Sequence, residues 1–288
     1  MGSSSSDLRI DADSTIVVTG GASGIGRLVA LGAARRGAHV VIWDRDGAAA
    51  RVVAAEADEA GGRGSAVVVD LADADAIELA AAETLMLGPV DVLVNNAGVV
   101  SGRPLAELTP AQIDRTMRVN AIAPILVTRA LLPAMRDRGR GRIVTVASAA
   151  GFIGVAGQTD YAASKFAAVG FMESLRAELR KERSPITTLT VAPFYIDTGM
   201  FDGVTTKVPA LLPILSQARV ATQILAAIES RRPLLALPPL VRLVPVIKAL
   251  PTALADLVAD ALGVNEGMDG FTGRAAPSQS AAERTEHR

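Results

Sequence analysis

The stretch TIVVTGGASGIG, residues 15–26, joins a strand-like run to a glycine-rich loop. Its first five residues are all β-branched, which favours a strand, and residues 24–36 have the composition of a helix that Gly37 ends. Glycines let the backbone turn tightly and approach a pyrophosphate, which the N-terminus of a helix attracts. The spacing is Gly-x-x-x-Gly-x-Gly, and an ordinary turn is the alternative interpretation. The candidate cofactor contacts in this loop are Gly20, Ser23, Gly24, Ile25 and Gly26.

Outward from this loop, short apolar runs alternate with longer alanine-rich stretches. The pattern predicts further strands at 39–43, 65–69, 90–94, 142–147, 186–191 and 234–237, and helices at 47–60, 73–87, 110 to about 138, 161–183 and 217–231. The strands are continuous apolar runs, which indicates a sheet covered on both faces. With helices between the strands, we expect an α/β fold with a doubly wound parallel sheet of the Rossmann type.

The domain organisation predicted from composition is simple. Residues 1–13 are expected to be a flexible start and residues 274–288 a disordered, small and polar tail. A single domain occupies 14–273, with a helical substrate lid at about 194–213 and an apolar C-terminal extension at about 238–273.

Composition excludes several classes of function. The chain of 288 residues has no cysteine and two histidines, so disulfides and thiolate metal sites are excluded, and we expect no metal site. A Ser-His-Asp hydrolase is excluded because His39 lies in an apolar run and His287 near the end. A net charge of −1 with scattered basic residues argues against nucleic-acid binding. No signal-peptide pattern opens the chain, and we expect a cytoplasmic protein.

Polar residues follow three of the predicted strands. Asp44 is placed to accept hydrogen bonds from an adenosine ribose and to repel a 2′-phosphate, which favours NAD over NADP, although Arg45 beside it offsets that charge. Asp70 and Leu71 follow the third strand, and we expect the side chain of Asp70 to reach the amino group of adenine. The alternative is that Asp70 only forms a turn. After the fourth strand, the candidate crevice residues are Asn96, Ala97 and Gly98, with a simple Asn/Gly turn as the alternative.

A proton-transfer device is indicated by Tyr161 and Lys165, four residues apart on a predicted helix and therefore on one face of it. An ammonium beside a phenol favours the phenolate and lowers the phenol's pKa. Ser148, thirteen residues before Tyr161, follows another strand and is placed to hold a substrate oxygen. The set suits proton transfer in a carbonyl/alcohol couple.

Together these segments resemble the short-chain dehydrogenase/reductase superfamily over about residues 14–240. The resemblance implies that Tyr161 is the general acid or base, that Lys165 lowers its pKa and binds the nicotinamide ribose, and that Ser148 holds the substrate oxygen. It implies a water held by Asn120 in a proton relay. It also implies contacts to nicotinamide from Pro193, Ile196 and Thr198, and a homodimer or homotetramer through the helices at 109–138 and 161–183.

The segment from Pro193 to Phe201 also resembles retinol and hydroxysteroid dehydrogenases, and it departs from the common family pattern in having Phe194 where many members have glycine. The candidate substrate contacts are apolar and aromatic, which suits a lipophilic alcohol or ketone; ordinary core packing is the alternative. Besides Ser148 and Tyr161 they are Phe152, Phe194, Tyr195, Met200 and Phe201.

Two later segments remain open. Residues 234–250 are apolar apart from Arg242 and Lys248, and they predict a helix on a membrane, a subunit contact or a cover over the active site. Residues 267–274, GMDGFTGR, resemble a terminal motif of bacterial relatives.

The function predicted is an NAD-dependent oxidoreductase that interconverts a hydrophobic alcohol and its carbonyl compound. The alternatives are a ketoreductase for 3-oxoacyl thioesters or polyketides, and a non-catalytic scaffold that senses dinucleotides.

Overall fold

The computed structural model describes residues 8–273 and forms one sheet of seven parallel strands. The spatial order is β3-β2-β1-β4-β5-β6-β7. The strands are β1 (Thr15–Thr19), β2 (His39–Asp44), β3 (Arg63–Val68), β4 (Val92–Asn95), β5 (Arg142–Val146), β6 (Thr187–Pro193) and β7 (Leu234–Leu237). The prediction of a doubly wound parallel sheet is confirmed.

Helices cover both faces of the sheet. They are α1 (Gly24–Ala34), α2 (Gly47–Glu59), α3 (Ala74–Leu87), α4 (Pro110–Met117), α5 (Ala123–Arg138), α6 (Thr159–Lys181), α7 (Gln217–Glu229), α8 (Val244–Lys248) and α9 (Thr252–Ala261). Neighbouring residues of a strand point to opposite faces. Ile16 and Val18 therefore pack with α1, α2 and α7, whereas Val17 packs with α3, α5 and α6. No helix among residues 8–273 is long and apolar enough to cross a membrane.

The long helix predicted from residue 110 to about 138 is interrupted. Between α4 and α5 the chain forms a π-helical turn, Arg118–Ile122. Pro124 has no N–H and cannot donate to the carbonyl of Asn120, its α-helical partner, which favours an interruption of the helical hydrogen bonds at this point. The turn places Asn120 inside the protein, where the residue is 1% exposed.

The lid also differs from its prediction, since residues 198–213 form turns and not a helix. Gly199 and Gly203 adopt positive φ angles of 78° and 84°, and two prolines follow at 209 and 213. These residues disfavour a helix.

At its other end the domain begins before residue 14. Ile10 is buried in the core, and its N–H donates to Glu229 Oε1 at 3.2 Å. The predicted disordered tail, 274–288, lies outside the described residues, as do residues 1–7 of the predicted flexible start.

Candidate active site

A cavity of about 290 Å³ opens at the carboxyl edge of the sheet. The strand order reverses between β1 and β4, so the loops that follow these two strands diverge and leave a crevice. Most of the predicted site residues line this one cavity: Gly20, Ser23, Gly24, Ile25, Asp44, Arg45, Asp70, Leu71, Asn96, Ala97, Gly98, Ser148, Tyr161, Lys165, Pro193, Phe194, Tyr195, Ile196, Thr198, Met200 and Phe201.

Three predicted residues are not among those that line the cavity. Gly26 packs behind the glycine loop, where a Cβ would collide with the carbonyl oxygen of Gly20 and would lie 2.5 Å from Asn96 Nδ2. Phe152 packs on Ala147, Ala149 and Ala168 instead of facing a substrate. Asn120 is buried in the π-helical turn. The substrate role predicted for Phe152 therefore has no support from its position.

The glycine loop and the loop after β4 hold each other in place. Thr19 Oγ1 accepts hydrogen bonds from the N–H groups of Asn96 and Ala97, at 3.0 and 3.1 Å. In return, Asn96 Nδ2 donates to the carbonyl oxygens of Thr19 and Gly20. Gly20 has a φ of 62°, and a Cβ there would lie 2.9 Å from the Cα of Ala97. Only glycine permits this approach of the two backbones.

This loop fits the pyrophosphate of a dinucleotide. It leads into the N-terminus of α1, which has no acidic residue in its first turn to compete with an anion, and Ser23 at the N-cap uses no side-chain hydrogen bond to cap the helix. The positive end of the helix dipole and its N–H groups therefore face the cavity edge.

Asp44 occupies the end of β2 in a defined orientation. Its Oδ2 accepts from the N–H of Ala22 and its Oδ1 from the N–H of Asp46, both at 3.1 Å. A carboxylate fixed beside the glycine loop fits a ribose with two hydroxyl groups. Asp70 lines the cavity and also accepts from the N–H of Ala72 at 3.0 Å, so it stabilises a turn as well.

Ser148, Tyr161 and Lys165 come together from two elements. Tyr161 lies in the first turn of α6 and Lys165 in the next turn. Both residues are buried, with 5% of Tyr161 and 4% of Lys165 exposed. Lys165 Nζ lies 5.5 Å from the centroid of the Tyr161 ring. Ser148 follows β5, and its Oγ accepts from the N–H of Ala150 at 3.1 Å and donates to the carbonyl oxygen of Pro193 at 3.5 Å. Its hydroxyl also influences the pKa of the Tyr161 side chain.

Burial dominates the electrostatics of this group. It raises the pKa of Tyr161 well above its usual value, while the hydrogen bond from Ser148 acts in the opposite direction and Tyr195 adds to the rise. Burial also lowers the pKa of Lys165 to about 8. The expected lowering of the phenol's pKa by Lys165 is therefore not what the structure gives. At neutral pH Tyr161 carries its proton and can act as an acid.

Asn120 connects the π-helical turn to the loop after β4. Its Oδ1 accepts from the N–H of Val99, and its Nδ2 donates to the carbonyl oxygen of Val99, both at 2.8 Å. Nδ2 also donates to Ser164 Oγ, which in turn donates to the carbonyl oxygen of Tyr161. The side chain thus connects α6 to the loop after β4, and the water relay stays a prediction.

An aromatic cluster forms the lid side of the cavity. The Phe201 ring meets the ring of Tyr161 edge-on at 5.8 Å and that of Tyr195 at 5.2 Å. The ring centroids of Phe194 and Tyr195 lie 4.5 Å apart. Burial raises the pKa of Tyr195 to about 12, so it remains a neutral phenol.

The C-terminal extension covers the cavity, one of the three interpretations left open by the sequence. Leu240, Val241, Val244 and Ile247 line it, as do four residues from 258 to 264. The opposite faces of α8 and α9 are exposed, with Val246 66% and Leu257 64% exposed.

Gln158 and Arg115 also line the cavity and were not predicted, because neither belongs to a recognised motif.

Within residues 8–273, no three His, Asp or Glu side chains are grouped closely enough to hold a metal ion.

The chain is similar to known proteins over most of its length. A family model described as short chain dehydrogenase matches residues 14–209. Epidermal retinol dehydrogenase 2 of Mus musculus is 40% identical over 267 residues, which cover 91% of this chain and 86% of its own. Retinol dehydrogenase 10 of Homo sapiens is 38% identical over 260 residues, which cover 79% and 75%. The crystal structure of a metagenomic short-chain oxidoreductase in complex with NADP has a TM-score of 0.68 and 34% identity, and the match covers 81% of this chain and 98% of its own.

Proposed function

The chain belongs to the short-chain dehydrogenase family, and on that basis we propose that it interconverts a lipophilic alcohol and its ketone or aldehyde with NAD(H). The observation that carries this proposal is the Ser148–Tyr161–Lys165 group, buried at the sheet edge inside a largely apolar cavity. The resemblance to retinol dehydrogenases at the level of sequence is confirmed.

The residues of the chain divide the work of ketone reduction. A bound dinucleotide would supply the hydride. Ser148 donates a hydrogen bond to the substrate oxygen and holds it beside the phenol. Tyr161 donates its proton to that oxygen as negative charge develops there, and takes it back in alcohol oxidation. The ammonium of Lys165, 5.5 Å from the centroid of the Tyr161 ring, offsets part of the cost of burying the phenolate that results, while burial keeps the pKa of the phenol above its usual value.

NAD is proposed over NADP because of Asp44. A carboxylate held at the end of β2 accepts hydrogen bonds from ribose hydroxyls and repels a 2′-phosphate. Arg45 also lines the cavity and offsets part of this repulsion. The solved metagenomic relative holds NADP, so the similarity to it does not favour NAD. The main argument for NAD in this chain is therefore the carboxylate of Asp44.

The proposed substrate class follows from the wall of the cavity. Phe194, Tyr195 and Phe201 lie at the end that contains Tyr161, and apolar residues of α8 and α9 line the same cavity. Such a wall suits a large hydrocarbon skeleton with one reacting oxygen. The curated relatives are named as retinol dehydrogenases, which supports an alcohol of this kind. Free ketones tested against acyl thioesters would separate this proposal from a thioester ketoreductase.

We also propose a homo-oligomer that uses the outer faces of α5 and α6. Ile122, Ile125 and Phe166 are between 38% and 44% exposed on or beside these helices. Light scattering of the purified protein tests this, and Ile125→Asp should increase the monomer fraction. A cytoplasmic location stays a prediction.

The direct test of the function removes one hydroxyl. Tyr161→Phe should bind NADH as the wild type does and lose about 10²- to 10⁴-fold in kcat, the usual contribution of a general acid or base. Wild-type turnover in that variant would refute the assignment. NADH binding without turnover of any ketone or alcohol by the wild type would favour the non-catalytic scaffold.

A further inference from the structure

The segment 264–273, here called the C-terminal strap, contains the GMDGFTG sequence that no step of the proposed reaction uses. It lies across the lid and the loop before α6. The N–H of Thr205 donates to the carbonyl oxygen of Gly267 at 3.2 Å, and the N–H of Thr272 donates to that of Asp202 at 2.8 Å. The N–H of Ala156 donates to Asn265 Oδ1 at 3.3 Å. The strap therefore joins two segments that border the cavity.

Glycines mark where the strap lies closest to its neighbours. A Cβ on Gly203, whose φ is 84°, would collide with the carbonyl oxygen of Gly270. A Cβ on Gly102 would collide with the ring of Phe271. Lid and strap thus meet backbone to backbone, and Phe271 packs onto a position without a side chain. Such close packing leaves little room for either side to shift.

Two side chains of the strap connect to residues that line the cavity. The ring of Phe271 meets that of Phe201 at 6.5 Å, and Phe201 in turn meets Tyr161 edge-on. Met268 Sδ lies 2.8 Å from Gln158 Nε2, which also donates to the hydroxyl of Tyr195 at 3.2 Å. Met268 is 8% exposed and packs with Tyr195. Neither Met268 nor Phe271 lines the cavity itself.

We propose that Met268 and Phe271 determine the size of the substrate accepted beside Tyr161, by holding Phe201 and Tyr195 in the cavity wall. They are positioning residues that act through these two aromatic rings. Removing the Phe271 ring leaves space behind Phe201, and a buried wall relaxes partly into such space. The cavity then grows at the end that contains the catalytic phenol. This inference rests on the proposed function, because it concerns the substrate of the same site.

The test compares a small and a large ketone, 4-methylcyclohexanone and 5α-androstan-3-one, with NADH and with NADPH. In Phe271→Ala and Met268→Ala, the ratio of kcat/KM for the large over the small ketone should rise roughly tenfold, the lower end of the range over which one methylene group in an apolar pocket discriminates substrates. Phe271→Leu, which keeps apolar bulk and protects folding, should give an intermediate ratio. Leu257→Ala is the matched control, since Leu257 lies on the same extension, is 64% exposed and does not line the cavity.

A purely structural role of the strap would lower both values of kcat/KM by the same factor, and an unchanged ratio in Phe271→Ala and Phe271→Leu would overturn the inference. If the wild type turns over neither these ketones nor any other ketone or alcohol, the proposed function fails. The affinities of the two ketones for the NADH complexes of the wild type and the variants, measured by calorimetry, then test the inference alone. A change in affinity that favours the large ketone in the variants supports the inference, and equal changes in affinity for both ketones refute it. Hydrogen exchange at residues 201–205 should be faster in Phe271→Ala, and unaltered exchange there also refutes it.

Discussion

Lys165 Nζ donates a hydrogen bond to the carbonyl oxygen of Val146 at 3.0 Å and so connects α6 to the end of β5. The ammonium is 96% buried in a setting where no described carboxylate pairs with it, and burial alone lowers its pKa. A buried cation of this kind costs stability as long as it is charged. We therefore expect the charge of Lys165 to change the free energy of unfolding as the pH changes.

The first prediction concerns that pH dependence. The pKa of Lys165 is 10.5 in the unfolded reference and about 8 in the folded protein. Between these values the unfolded chain binds more protons, so the contribution of Lys165 to the free energy of unfolding rises with pH. The stability difference between wild type and Lys165→Met should move in favour of the wild type from about pH 8 to 10.5, by up to about 3 kcal/mol. Urea unfolding of both proteins at fixed pH measures it. A difference that does not change across this range would mean that the pKa is not lowered.

The second prediction concerns Asn120, whose side chain makes two hydrogen bonds to Val99. Asn120→Ala leaves the partly buried N–H and carbonyl of Val99 without these partners, and we expect a loss of about 1–3 kcal/mol in the free energy of unfolding. Turnover should fall as well, since the loop after β4 loses its connection to the catalytic helix. Ser164→Ala is the comparison, because it removes only the contact between Asn120 and the Tyr161 carbonyl. Lost turnover with unchanged stability in Asn120→Ala would instead favour the proton relay.

The sequence predicts those parts of the site whose residues form a local pattern. The glycine loop, Asp44, and the Tyr161/Lys165 pair each follow from residues close together in the chain or from the end of a strand. The contacts between the C-terminal strap and the residues that line the cavity do not follow from such patterns, since Gln158 and Met268 are 110 residues apart and meet only after folding. The interruption of the long helix had a local signal, Pro124, which removes the donor for the carbonyl of Asn120. The pKa of Tyr161 depends on total burial, which no spacing of residues reveals.

The third prediction concerns the choice of dinucleotide. Asp44→Ser removes a negative charge beside the ribose position and keeps a hydroxyl there. The ratio of the dissociation constants for NADPH and NADH should fall at least tenfold, because a phosphate near a carboxylate is penalised by like-charge repulsion. Fluorescence titration with both reduced cofactors measures it. Asp46→Ser is the matched control, since Asp46 caps α2 by accepting from the N–H of Ala49 and does not line the cavity, and serine retains the capping oxygen. An unchanged ratio in Asp44→Ser would remove the main argument for NAD.

The fourth prediction compares two glycine-to-alanine substitutions. A Cβ at Gly26 would collide with the carbonyl oxygen of Gly20 and press on Asn96 Nδ2, so Gly26→Ala should displace the glycine loop. We expect NADH affinity to fall at least tenfold and the protein to lose about 1–3 kcal/mol, the usual cost of overpacking. Gly170 lies inside α6, and a Cβ there would meet nothing within 4 Å. Gly170→Ala should therefore stabilise the protein by about 0.5–1 kcal/mol through the higher helix propensity of alanine, with no effect on NADH binding. Calorimetry and urea unfolding of the two variants provide the measurement. If Gly26→Ala bound NADH like the wild type, the contact of this loop with the cofactor would be refuted, because the loop cannot accept that Cβ without moving.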